Sequence, residues 1–149
     1  MRKFSSYGPI NTKLHYYVPR QALVDQAITH LLGEVPAEGG HYITVWAPRQ
    51  RGKSWILLQA LQQLRAAPRY AGFDVIKVNL EHLKLERDTD AIVHWLANDI
   101  LEKLAITGVS VQTLRGLYDI FSRDVLSKPL ILILDEFDAL SAEAITGLV

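Results

Sequence analysis

The chain has 149 residues, room for one domain of ordinary size, and its 49% hydrophobic and 21% charged composition excludes the disordered class. It has no cysteine, which excludes disulfide scaffolds, thiol nucleophiles and thiolate-ligated zinc or iron–sulfur sites. Sixteen basic and sixteen acidic side chains cancel, but residues 47–78 carry six bases against one acid and residues 79–149 twelve acids against six bases; this fits either scatter over a solvated surface or a site that grips an anion early in the chain and a metal cation late.

Residues 1–20 read as an irregular arm, punctuated by Gly8-Pro9, Asn11-Thr12 and Pro19. The basic start at Arg2 and Lys3 leads into no apolar run of the ~7–15 residues a secretory signal needs, so the chain is expected in the cytoplasm. From Gln21, the residues Leu23, Val24, Ala27, Ile28, Leu31 and Leu32 recur at helical spacing, and Gly33 stands where a left-handed C-cap ends a helix. Tyr42 to Trp46 is expected to be a short strand, followed by a loop from Ala47 to Gly52. A helix is expected from Trp55 to Leu64, closed by Pro68.

Phe73 to Leu80 reads as a second strand. Asp88-Thr89-Asp90 offers an N-cap to a helix that turns Ile92, Val93, Leu96, Ile100, Leu101 and Leu104 inward and ends at Gly108. A further helix is expected from about Val111 to Leu126, before Ser127-Lys128-Pro129. Leu130 to Leu134 is apolar at every position, the pattern of a strand buried on both faces in a parallel sheet covered by helices. That run of five is the longest aliphatic stretch, whereas a membrane span needs roughly twenty, so no membrane helix is expected. The alternation of strands and helices makes the class α/β, with an arm over 1–20 and a domain over 21–149. No cluster of Lys and Arg interleaved with aromatics appears, so direct nucleic-acid binding is not supported.

Two motifs carry chemistry. Ala47-Pro48-Arg49-Gln50-Arg51-Gly52-Lys53-Ser54 matches the Walker A pattern at Gly52, Lys53 and Ser54, with Ala47 in the place of the first glycine. Gly52 is needed where phosphate must approach the backbone, and the amides of Gln50, Arg51, Gly52, Lys53 and Ser54 are expected to face the anion. Lys53 supplies a point charge to the β- and γ-phosphates, and the Ser54 hydroxyl is a hard oxygen ligand for Mg²⁺. The second motif is Leu130 to Leu134 followed by Asp135-Glu136, the Walker B pattern. It puts Asp135 in reach of Mg²⁺ and makes Glu136 the base that orients and deprotonates the attacking water. Each match alone arises in roughly one random chain of this length in a hundred; both in the right order, in roughly one in ten thousand.

The five histidines show no metal-ligand spacing, and neither a G-x-S-x-G elbow nor a G-x-G-x-x-G fingerprint occurs. With no N-K-x-D motif, adenine is the expected base, by absence alone. Glu136 beside Asp135 favours a hydrolase over a small-molecule kinase.

At these residues the chain resembles the AAA-like ATPases of the P-loop superfamily that carry an Asp-Glu Walker B. Within them it is similar to the bacterial AAA-like domain ATPases, whose phosphate loop often reads P-R-Q-x-G-K-[ST], as Pro48 to Ser54 does. A Tyr-Val-x-Arg segment and a helix precede the Walker A strand in that group, and Tyr17-Val18-Pro19-Arg20 and the helix from Gln21 match them. The resemblance implies a P-loop three-layer α/β/α parallel sheet, ATP and Mg²⁺ as ligands, and Val18 and Arg20 against the adenine. For Val18 the alternative is packing on the core. Ala47 in place of glycine is tolerated in the group.

Similar ATPases place a further strand, later in sequence than Walker B, between the Walker A and Walker B strands. Only Ala139 to Val149 follow the acidic turn here. The sequence is therefore expected to be the front part of a longer domain, truncated after the Walker B strand and without the sensor strand, an arginine finger or the helical lid. Tyr42–Trp46 and Leu130–Leu134 are then expected either to face each other across a gap or to pair directly, and the chain alone to be a weak ATPase. Partners or self-association would act through the later regions. Two functions fit the sequence: an ATPase whose hydrolysis drives a switch or motor, or an interaction module that retains the fold without catalysis.

Overall fold

Residues 2–4, 10–35, 41–48, 51–122 and 124–148 are described by the computed structural model. They fall in two units, Met1–Ala66 and Ala67–Val149.

In the first unit the helical spacing seen in the sequence becomes two packed helices, α1 (Gln21–Leu32) and α2 (Lys53–Ala66). Val24 and Ile28 of α1 and Ile56, Ala60, Leu61 and Leu64 of α2 are buried, the i, i+4 rows that two amphipathic helices turn inward. A polar bracket closes one flank: Gln21 Nε2 donates to Asp25 Oδ1 at 2.9 Å and to Gln63 Oε1 at 2.7 Å, while Gln63 Nε2 donates to Asp25 Oδ1 at 2.9 Å. Gly33 ends α1 with φ +60°, its N–H donating to the Thr29 carbonyl. A Cβ there would lie 2.5 Å from the exposed His41 imidazole, which would have to swing aside, so it is the positive φ that favours glycine.

The strand expected at Tyr42–Trp46 does not form. Residues 41–48 have no strand partner among the described residues, although exposed positions (Tyr42, Thr44, Trp46) alternate with half-buried ones (Ile43, Val45, Ala47), the period of extended chain. The physical reason is that propensity for a pleated surface is local while a strand is defined by its ladder, and the described part of this unit offers only helices and a lone bridge between Lys3 and His15.

The second unit is built on β1 (Asp74–Asn79) and β2 (Leu130–Asp135), parallel and in register from Asp74 opposite Leu130 to Asn79 opposite Asp135. Bonds just past the strands extend the ladder: Asp74 N–H donates to Pro129 O and Leu80 N–H to Asp135 O. The crossover between them carries α3 (Thr89–Lys103) and α4 (Leu114–Ile120), and α5 (Ala142–Leu148) follows β2. Ile76, Val78 and Leu80 join Ile92, Val93, Leu96, Ala97 and Ile100 of α3 and Leu117 and Ile120 of α4 in one buried cluster. Asp88 caps α3 as expected, its side chain accepting from the Asp90 amide.

The helix expected from Val111 to Leu126 is shorter than its apolar pattern. It starts only after Thr113, whose hydroxyl takes the Gly116 amide, and stops at Ile120, beyond which Phe121, Ser122, Val125 and Leu126 bond back to the residues three or four before them as successive turns. Val111 and Leu126 are buried nonetheless, so the periodicity marked the buried face and not the helix ends. The class is α/β with a parallel sheet, but that sheet has two strands among the described residues, not the several of a three-layer sandwich. No helix among the described residues is long and apolar enough to cross a membrane.

Candidate functional site

The glycine–lysine–serine loop of the first unit runs straight into α2, where the Gly52 carbonyl accepts the first helical bond from Ile56. Gly52 has φ +79°, a backbone state that L side chains rarely adopt, and an added Cβ would meet only the Arg20 guanidinium at an ordinary 3.6 Å. Conformation, not space, demands glycine here. Lys53 and Ser54 open α2, so their amides lie in its first turn, at the positive end of the helix dipole. Lys53 Nζ reaches back to donate to the Ala47 carbonyl at 3.0 Å, closing the loop on its own first residue.

Arg20 is carried to this loop from the segment before α1. Tyr17 donates its hydroxyl to Gln59 Oε1 of α2 at 2.6 Å and sets its ring edge-on to Trp55 at 5.4 Å, which fixes the Tyr17–Arg20 segment on the helix. Arg20 Nη1 then donates to the Arg51 carbonyl at 2.7 Å. Around these groups lies a cleft of about 620 Å³, within the range of small-molecule sites. Arg20, Arg51 and Lys53 line it together with Leu23, Ala27, Ile43, Val45, Trp46 and Ile56, and among the described residues no acidic side chain does. Three cations beside an apolar wall suit a ligand with an anionic and a flat apolar part.

In the second unit β2 delivers Asp135 at its carboxyl end, 5% exposed. Its Oδ1 accepts from the Glu136 amide at 3.2 Å, and its Oδ2 pairs with Lys77 Nζ of β1 at 2.7 Å. Glu136 turns out of the strand with φ +58° and ψ +40°, left-handed and uncommon for a residue with a Cβ. The turn leaves its side chain exposed while Phe137–Ala139 winds into a short 3₁₀ turn.

The structure thus brings Arg20, Arg51 and Lys53 together around one cleft, with Gly52 between the last two. Ser54 is exposed in the first turn of α2; Val18 is 80% exposed and does not line the cleft. Gln50 lies outside the described residues. Asp135 and Glu136 are placed as strand end and turn. Ser54 and Asp135 each carry a hard oxygen of the kind Mg²⁺ takes, and no group of three or more His, Asp or Glu side chains among the described residues could hold a metal by itself. Mg²⁺ is the metal that tolerates so few protein ligands, keeping waters and phosphate oxygens for the rest. Two features escaped the sequence reading. Trp46, with Gln26 and His30 of α1, also lines the cleft, and their signal was the polar residues interleaved with the apolar spacing of α1. Lys77 was legible only as a charge inside the apolar run Val75–Val78.

A family model described as an AAA domain matches residues 37–149, most of the chain. No curated protein and no solved structure matches it. The chain belongs to the AAA domain family, and so to the nucleotide-binding P-loop domains.

Proposed function

With that membership as premise, we propose that the protein binds ATP with Mg²⁺ and hydrolyses it as a conformational switch or motor, on the three-layer α/β/α sheet of such domains. The observation that carries this reading is the convergence of Arg20, Arg51 and Lys53 on one cleft at the start of α2, with Gly52 held at positive φ between two of them. Lys53 and Arg51 would hold phosphate oxygens by charge-assisted bonds, Lys53 exchanging the Ala47 carbonyl for them. The amides of Gln50, Arg51, Gly52, Lys53 and Ser54 would add fixed partial charges, and Arg20 would border the nucleoside, with Val18 as a second contact. Ser54 and Asp135 would hold Mg²⁺, which supplies charge neutralisation and phosphate orientation when bound. Glu136, as the base, would orient a water and take its proton. The absence of a guanine-reading motif supports adenine, and a cytoplasmic location suits the ligand.

Calorimetric titration of ATP with and without Mg²⁺ tests the reading. Tighter binding with Mg²⁺ is expected; no binding at millimolar ATP would leave the non-catalytic interaction module as the function.

A further inference from the structure

Glycine at position 52 permits a φ of +79° but does not impose it, because a residue without a Cβ takes either sign of φ about as readily. Turning the Arg51–Gly52 peptide over exchanges the two signs, as between type II and type I turns. The peptide is planar, with its carbonyl and N–H on opposite sides, so a group that holds the Arg51 oxygen also sets where the Gly52 amide points. Arg20 is such a group. Its Nη1 donates to that oxygen at 2.7 Å, and among the described residues its guanidinium alone, chain neighbours apart, comes within 4 Å of a Cβ built on Gly52. Arg20 is itself fixed: its carbonyl accepts the Leu23 and Val24 amides that begin α1, and its own amide donates at 3.4 Å to the Tyr17 hydroxyl, which is bound to Gln59 of α2. All of these residues belong to the first unit.

Resting on the reading of residues 50–54 as the phosphate loop, we propose that Arg20 is a positioning residue that acts through the Arg51–Gly52 peptide on the triphosphate. It keeps the Arg51 oxygen engaged and Gly52 at positive φ before any ligand arrives. Without the guanidinium the peptide is free to turn over, and only the fraction of molecules in the receiving orientation binds the anion, which lowers the apparent affinity by that fraction. This role differs from the nucleoside contact assigned to the same side chain: it falls on the phosphates, and it is present in the ligand-free protein.

Two measurements in EDTA test it. In calorimetric titration with inorganic tripolyphosphate, which has no nucleoside, Arg20→Met should bind about tenfold more weakly than wild type, the worth of one charge-assisted bond discounted for its exposure. Arg20→Lys can still donate to the Arg51 oxygen and should stay within about threefold of wild type. In nuclear magnetic resonance of the ligand-free protein carrying isotope-labelled glycine, the Gly52 amide should give one sharp line in wild type and Arg20→Lys, and a split or broadened line in Arg20→Met. Gly33 and Gly116 report folding in the same spectrum; should their lines be lost in Arg20→Met, Arg20→Gln takes its place. Unchanged tripolyphosphate affinity in the Met variant confines Arg20 to the nucleoside and overturns the proposal. A sharp Gly52 line beside a weakened affinity makes Arg20 a direct phosphate ligand and overturns it as well, as does an Arg20→Lys no tighter than Arg20→Met. Absence of both ATP and tripolyphosphate binding by the wild type would instead overturn the nucleotide reading, and this inference with it.

Discussion

The turn after β2 and the loop before α2 are each entered from an apolar run, yet they are braced by different kinds of bond. Asp135 is held through its backbone, its carbonyl accepting Leu80 N–H as the last rung of a parallel ladder, before its side chain is considered. The loop before α2 is held by side chains reaching to backbone, Lys53 to Ala47 and Arg20 to Arg51, with no ladder beside it among the described residues. A ladder is not exchanged when a ligand arrives. A lysine on a carbonyl can be, since a phosphate oxygen offers the same ammonium a charged acceptor and about twice the bond strength. The fixed turn suits a carboxylate that must stay aimed; the exchangeable loop suits capture.

The largest expected effect breaks the turn side of this contrast. Glu136→Gln should slow ATP hydrolysis by roughly 10²–10⁴ with binding nearly intact, measured by steady-state turnover beside calorimetry. Collapse of binding with turnover retained would make Glu136 a structural or metal-holding residue. On the loop side, Lys53→Ala should weaken ATP binding by about tenfold to a hundredfold, the worth of one charge-assisted bond, and an unchanged affinity in the same titration would remove the loop from the site. The contrast in bracing is sharpened by one chemical change made twice. Ile76→Ala, in the core cluster beside the ladder, should cost about 2–5 kcal/mol in urea unfolding. Ile43→Ala, half-buried in the run without a ladder, should cost less than about 1 kcal/mol. Similar losses at both would mean that 41–48 is anchored as firmly as the strands.

What the sequence disclosed follows the same line. Helices α1, α2 and α3 were legible because their signals are local: apolar residues a turn apart, Gly33 at one end, Asp88 at the other, Pro68 after α2. Leu130–Leu134 was legible because its apolar run is bounded by Pro129 and Asp135 and finds a partner in β1. Tyr42–Trp46 has a similar local signal, and its failure to form a strand turns on pairing, which no local pattern encodes. The short α4 was missed because Thr113 competes for a backbone amide that the apolar periodicity does not register. In the site, Gly52 was legible from its motif. Lys77 was not, since its meaning comes from the register that lays it beside Asp135.

The left-handed backbone at Glu136 has a bearing on how this protein could be engineered. Glycine, or asparagine with less relief, sits more comfortably at φ +58° and ψ +40°, and a side chain with a full Cβ costs about 1 kcal/mol there. A thermostability screen run blind to turnover would favour removing this carboxylate, and its best-scoring variants would be proteins that melt later and, on the role proposed for Glu136, no longer turn over.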